Sequence, residues 1–255
     1  MNILQQIVND IQKDLVLKKQ IVPIDLLESS PLFERQTNSL RQRVVETEGI
    51  IAEHKRRSPS KPNINFGLRL ADVAQGYESA GVAGMSVLTN NQYFGGSIED
   101  LLLARQACEL PLLRKEFMVD EYQVLEAKAN GADAILLIAA CLERPDIQIL
   151  STLAQQLGME VLLEVHNADE LKKSIMPSID MIGVNNRDLT SFRVSLKTSK
   201  SLVDQIPTEF VKLSESGLSS PDSVLELRDC GYQGFLMGEY FMKTCLLYTS
   251  PSPRD

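Results

Sequence analysis

The stretch ADAILLIAACLERPDIQILSTLAQQLGMEVLLEV, residues 132–165, holds one complete repeat of the rhythm that governs most of the chain. It opens on a short apolar run, ADAILLIAA (132–140), passes through a helical segment from Asp146 to Leu157, and returns to a second apolar run, EVLLEV (160–165). An apolar run of this length bounded by turn residues reads as a buried strand, and the segment between two such runs as the helix that crosses over them. Working outward in both directions from Gly49, the same alternation recurs. Further strand candidates are GIIAEHK (49–55), MSVLT (85–89), PLLRKEF (111–117), DMIGVNN (180–186), EFVKLSES (209–216) and GFLMGE (234–239). Helical segments such as Asp120–Asn130 and Pro221–Asp229 lie between them, and Gly, Pro, Ser or Asp marks each change. Eight strands with seven intervening helices predict a parallel sheet, and eight is the number that closes a (β/α)8 TIM barrel. A doubly wound open sheet is the alternative. It is disfavoured because no strand is followed by GxGxxG and no GxxxxGK[ST] occurs.

The remaining sequence fits one domain, with residues 1–48 as an N-terminal helical extension, 49–243 as the barrel and 244–255 as a tail. Leu4, Ile7, Ile11 and Leu15 recur at helical spacing, and Asn38–Glu48 is rich in helix formers, so the extension is expected to lie on the barrel. A final helix is due after Lys243, to cover the seam of the barrel. Instead the chain reads CLLYTSPSPRD, which has no amphipathic period and carries two prolines. The expectation is that this last helix is missing and the tail is non-native.

At 255 residues the chain is long enough to bury a core without disulfides or metal. It carries 26 Lys+Arg against 34 Asp+Glu, a net charge of −8, which argues against a nucleic-acid or membrane-surface binder. No secretory signal opens the sequence, and the longest apolar run, Ala134–Leu142, is far short of the ~20 residues that span a bilayer. Cys108, Cys141, Cys230 and Cys245 form no CxxC pair and read as free core thiols. The sequence therefore reads as a reduced, cytoplasmic protein.

In a barrel of this kind chemistry gathers at the C-terminal ends of the strands. Those ends here carry Glu53, His54 and Lys55; Arg114, Lys115 and Glu116; Glu164; Asn185, Asn186 and Arg187; Ser214–Gly217; and Gly238–Glu239. Side chains alternate along a strand, so Glu53 and Lys55 share one face while His54 takes the other. Two lysines and two glutamates on three strands then meet at one mouth. A structural ion-pair network is the bland explanation, but four such groups favour chemistry: an ammonium that protonates a carbonyl or a leaving hydroxyl, a carboxylate that takes a proton. Gly217 and Gly238, with the short segment Glu239–Lys243, suggest a phosphate site after the seventh and eighth strands. His54 is expected to be packed away from the mouth and His166 to be a solvated loop residue. No HExxH, CxxC or carboxylate cluster indicates a metal.

These strand ends also carry a resemblance. IIAEHKRRSPSK (50–61), SVLTNNQYFGGS (86–97), PLLRKEFMVDEYQ (111–123), LLEVHN (162–167), GVNNRDL (183–189), KLSESG (212–217) and FLMGE (235–239) resemble, in order, the signatures of the indole-3-glycerol-phosphate synthase family. The resemblance implies a lyase of tryptophan biosynthesis on a (β/α)8 barrel. It converts 1-(2-carboxyphenylamino)-1-deoxyribulose 5-phosphate to indole-3-glycerol phosphate, CO2 and water without cofactor. It implies Lys115 as the acid for ring closure, Lys55 and Glu164 as the groups serving dehydration, and Glu53 as a partner orienting the lysines. Asn185 and Arg187 then orient substrate, and Ser58 and Ser216 add binding positions. Phe94, Phe117 and Leu136 wall the aromatic ring, and Gly217, Gly238 and Glu239 receive phosphate, Glu239 through its backbone. The implied partner is this small phosphorylated molecule; the choice between monomer and weak homodimer stays open.

Two further departures from the family accompany the tail. His54 stands where an apolar or aromatic residue is usual, and Pro62 replaces the usual Gly after SPSK, which stiffens the loop following the first strand. The alternative to an active synthase is a non-catalytic, truncated barrel that retains at most phosphate-ligand binding.

Overall fold

The structure, a computed structural model, describes residues 3–189 and 191–243. Eight parallel strands close into a barrel in sequence order: β1 (Ile50–His54), β2 (Gly84–Leu88), β3 (Leu112–Lys115), β4 (Ala134–Ile138), β5 (Glu160–Val165), β6 (Met181–Asn185), β7 (Val211–Glu215) and β8 (Gly234–Met237). The helices before β1 are α1 (Ile3–Ile21), α2 (Ile24–Glu28) and α3 (Leu40–Glu46). Those on the crossovers are α4 (Leu70–Ser79), α5 (Asn91–Phe94), α6 (Ile98–Ala107), α7 (Glu121–Ala129), α8 (Arg144–Gln156), α9 (Ala168–Ser174), α10 (Lys197–Leu202) and α11 (Pro221–Asp229), and α12 (Glu239–Lys243) follows β8. The tail after Lys243, where the final helix is expected to be missing, lies outside the described residues, as does Cys245.

Side-chain alternation divides the core into two layers. Ile50, Ala52, Val87, Leu137 and Phe235 face the surrounding helices. Ile51, Leu113, Leu136, Leu162, Met181, Leu213 and Leu236 fill the barrel interior. Counting on by two from this inner layer carries Glu53, Lys115, Glu164, Asn185 and Glu215 to the inside, one step nearer the C-terminal end. The register keeps them level: Leu88 pairs with Lys115, Ile138 with Glu164, Glu164 with Gly183, and Asn185 with Glu215.

The extension does two jobs that its periodicity alone does not distinguish. Ile7, Ile11 and Leu15 of α1 pack with Leu27 of α2 against Tyr122 and Ala129 of α7, on the outside of the barrel. Leu40 and Val44 of α3 join the interior cluster instead, so α3 stoppers the N-terminal end. A helix that the sequence places merely on the domain is thus part of its core.

Candidate active site

At the C-terminal end of the strands a cavity of about 200 Å³ opens, and Lys115 stands in its floor. The lysine is nearly buried, and carboxylates from three other strands converge on it. Its Nζ lies 2.5 Å from Glu215 Oε2, 3.5 Å from Glu164 Oε2 and 4.0 Å from Glu53 Oε2. Burial opposes the ammonium, but the charges of Glu215, Glu164 and Glu53 outweigh it and drive its pKa well above the usual lysine value. Lys115 is therefore a cation throughout the working range of pH.

Glu53 and Lys55, two residues apart on one face, form a pair at 2.7 Å, and Ser86 Oγ donates to the other oxygen of Glu53 at 3.4 Å. Burial works against the Glu53 charge, yet Lys55 and Lys115 prevail and hold its carboxyl below the usual carboxylate range. Room for Glu53 comes from Gly238, where a Cβ would stand 2.7 Å from Glu53 Oε1. Glu164 Oε1 accepts from Asn185 Nδ2 at 3.1 Å and lies 3.3 Å from His166 Nε2. Against the cost of burial, Lys115, His166 and Asn185 bring the Glu164 carboxyl down to about 2. Glu215 is the exception. Burial, and repulsion from Glu164 and Glu53, raise it to about 7 despite its contact with Lys115, and its Oε1 is buried without a hydrogen-bond partner.

The rest of the cavity wall is apolar or carried by loops. Phe94 and Phe117 stand with ring centres 6.2 Å apart, and Leu136 lies deeper. Ile3, Leu4 and Ile7 of α1 reach the rim. Ser58 sits in a tight turn closed by backbone bonds in both directions with Lys61, at 2.8 and 3.0 Å. Asn185 Oδ1 accepts from the backbone N–H of Arg187 at 3.0 Å, and the Arg187 guanidinium reaches Phe192 O at 3.4 Å. Ser216 and Gly217 turn the chain out of β7 with φ of 66° and 79°, the left-handed region that costs a non-glycine residue roughly 1–2 kcal/mol. Gly217, Gly238 and Glu239 line the opposite side, where the Glu239 carboxylate pairs with Lys61 of the loop after β1.

A sequence profile of the indole-3-glycerol phosphate synthase family matches residues 4–246. The chain belongs to that family. The synthase of Bacteroides thetaiotaomicron is 43% identical over 244 residues, covering 95% of this chain and 94% of its own. That of Dechloromonas aromatica is 40% identical over 247 residues, covering 95% and 94%. That of Laribacter hongkongensis is 47% identical over 196 residues, covering 76% and 74%. These are enzymes by name, and the family is one of decarboxylating lyases acting on a small phosphorylated substrate. Among solved structures, an N-acetylmannosamine-6-phosphate 2-epimerase from Clostridium perfringens superposes with a TM-score of 0.59 at 14% identity, covering 81% of this chain and 92% of its own. A thiamine phosphate pyrophosphorylase from Pyrococcus furiosus gives 0.57 at 15% identity, covering 82% and 93%. At such identity both speak to the barrel alone.

Each site residue read from the synthase signatures, from Lys115 to Glu239, borders this one cavity. His54 packs in the helix layer, 2% exposed, as its place on the outer face requires. The reading of His166 as a solvated loop residue is corrected: its ring is largely buried between Glu164 and Glu170, because it shares the inward face of Glu164. Glu215, a strand-end residue to which the resemblance gives no role, also borders the cavity, two steps from the inward Leu213 on the same alternation. No helix among the described residues is long and apolar enough to cross a membrane.

Proposed function

We propose that this chain closes the indole ring of 1-(2-carboxyphenylamino)-1-deoxyribulose 5-phosphate with Lys115 as the acid. The observation that carries the reading is the Lys115 ammonium, fixed among the carboxylates of Glu53, Glu164 and Glu215 on the floor of a cavity walled by aromatic rings. When the ring carbon bearing the carboxylate bonds to the sugar carbonyl carbon, the carbonyl oxygen gains charge and basicity. An ammonium aimed at it supplies the proton, a contribution of about 10²–10⁴-fold in rate. Loss of CO2 restores the aromatic ring. Departure of the hydroxyl as water then needs one acid and one base, the base taking a proton from the carbon beside nitrogen. Lys55 and Glu164 serve as this pair, with Glu53 orienting both lysines through its contacts at 2.7 and 4.0 Å.

Asn185 and Arg187 orient the substrate, Ser58 and Ser216 bind its polar groups, and Phe94, Phe117 and Leu136 enclose its aryl ring. The phosphate goes to the backbone at Gly217, Gly238 and Glu239, a reading supported by the Glu239 carboxylate being turned to Lys61. The reaction as written calls for no cofactor. Its test is product fluorescence: the chain contains no Trp, so indole emission rises over a tyrosine background alone. Steady product from the carboxyphenylamino substrate is the expected result. Folded protein that binds the substrate without turning it over would favour the non-catalytic barrel.

A further inference from the structure

The buried charges at the mouth do not balance. Glu53, Glu164, Glu215 and Glu170 set four carboxylates against the cations of Lys55, Lys115 and, when protonated, His166. The cluster therefore has room for one proton, and geometry distinguishes where it goes. Glu164 is surrounded: Asn185 and His166 face one oxygen and Lys115 the other. Glu215 has Lys115 on one oxygen, while the other is buried with no partner.

His166 creates this asymmetry. Its Nδ1 lies 3.1 Å from Glu170 Oε2, an oxygen that also accepts from the His166 backbone N–H at 2.8 Å, and its Nε2 lies 3.3 Å from Glu164 Oε1. Asn167 ties the other oxygen of Glu170 at 2.7 Å, so the far end of the clamp is itself held. A carboxylate thus stands within 3.3 Å of each ring nitrogen, Nε2 meeting Glu164 through charge rather than an aligned hydrogen bond, and two such neighbours favour the doubly protonated ring. The other titratable group beside it is Cys141, whose thiol burial, Glu164 and Glu170 push up to about 12, so it adds no charge. Lys173, on α9, turns to Leu142 O at 2.9 Å.

We propose that His166 is a positioning residue that decides which carboxylate carries the mobile proton: clamped as an imidazolium, it pins Glu164 in the charged form and leaves the proton to Glu215. The assignment rests on the synthase reading for its consequence in catalysis, since Glu164 is then always ready as a base and Glu215 stands ready to reload Lys115. It does not rest on that reading for its test. The balance of contacts agrees: burial opposes the imidazolium, but Glu164 and Glu170 overcome it and raise the ring to about 10.

With two histidines in the chain, the imidazole 15N spectrum reports directly. Both His166 nitrogens should remain protonated at pH 8, and Glu170→Gln should lower the His166 titration by at least about one pH unit. In His166→Gln the near-neutral carboxyl titration, followed by 13C NMR and assigned to Glu215 by its loss in Glu215→Gln, should move upward by about one unit and spread onto Glu164. The pH profile of turnover should move with it. A neutral His166 ring at pH 8, or a carboxyl titration unmoved in His166→Gln, overturns the proposal, the second result being what a purely packing role predicts. If His166→Gln does not fold, Glu170→Gln tests the clamp through the 15N titration of His166 alone, and an unmoved His166 titration there overturns the proposal. Absence of indole product from the native chain would sink the synthase reading alone, because the carboxyl titration still decides the proton's place.

Discussion

Two buried ion clusters sit at opposite ends of the barrel, and they are built on opposite terms. At the N-terminal end Asp133, fully buried, accepts from Arg35 at 2.5 Å, Arg105 at 2.8 Å, and the backbone N–H groups of Asn38 and Leu112 at 2.7 and 2.8 Å. One carboxylate is saturated by one N–H from each of two guanidinium groups and by two backbone amides, and it ties the extension to the strands. At the C-terminal end one ammonium is shared among three carboxylates and one oxygen is left bare. Saturation fixes a structure, because every lone pair is used and none is available to a newcomer. Excess acceptor capacity beside a cavity costs stability and leaves groups able to exchange protons. The same ingredients thus anchor one end and equip the other.

Replacing Lys115 should separate the two ends most sharply. Lys115→Ala is expected to reduce turnover by about 10²–10⁴-fold while leaving the Asp133 network and the fold's cooperativity intact. Near-normal product formation would remove the acid from the mechanism. The mirror experiment is Asp133→Asn, which leaves Arg105 buried without its carboxylate. Breaking such a pair costs about 3–5 kcal/mol, so urea unfolding should shift by that amount with turnover per folded molecule unchanged. Were Asp133→Asn to lose activity but not stability, the division of labour between the two ends would fail.

A finer probe is Gly183, opposite Glu164 on β6. A Cβ there would overlap Glu215 Oε1 and stand 3.2 Å from Leu162 Cδ1. Gly183→Ala should push the Glu215 carboxylate off Lys115 and lower turnover by about 10–10²-fold, because catalytic groups misplaced by an ångström lose that much. Turnover at the native level would mean that the Lys115–Glu215 contact is dispensable.

The contrast also explains what the sequence discloses. Strand number and the inward placement of Glu53, Lys115 and Glu164 follow from alternation, which is local, and the helix limits Pro221–Asp229 match α11 throughout. Glu215 and His166 obey the same alternation, two steps beyond Leu213 and Glu164. Their inward placement is therefore written in the sequence as plainly as that of Glu53. What alternation does not carry is the closure of contacts distant in sequence. Nothing near Leu40 says that α3 stoppers the barrel, and nothing near Asp133 says that Arg35, 98 residues earlier, will meet it.

His54 belongs to neither type of cluster. It shares β1 with Glu53 but faces the helices, 2% exposed, with Nε2 buried and unpartnered. Burial, reinforced by Arg56 and only partly countered by Asp100 and Glu53, lowers its pKa from 6.5 to about 4. The folded chain thus refuses a proton that the unfolded chain takes up. Stability should fall as pH drops from 6.5 towards 4 and level off below that. The difference amounts to about 2 kcal/mol at pH 5, and it is absent at pH 8. His54→Leu removes the titration and the orphaned nitrogen together. Its gain in urea-unfolding stability should therefore be larger at pH 5 than at pH 8 by about that figure, with turnover at pH 8 unaltered. Equal gains at both pH values would mean that His54 protonates without unfolding. The acid sensitivity of the chain would then belong to the carboxylates of the mouth.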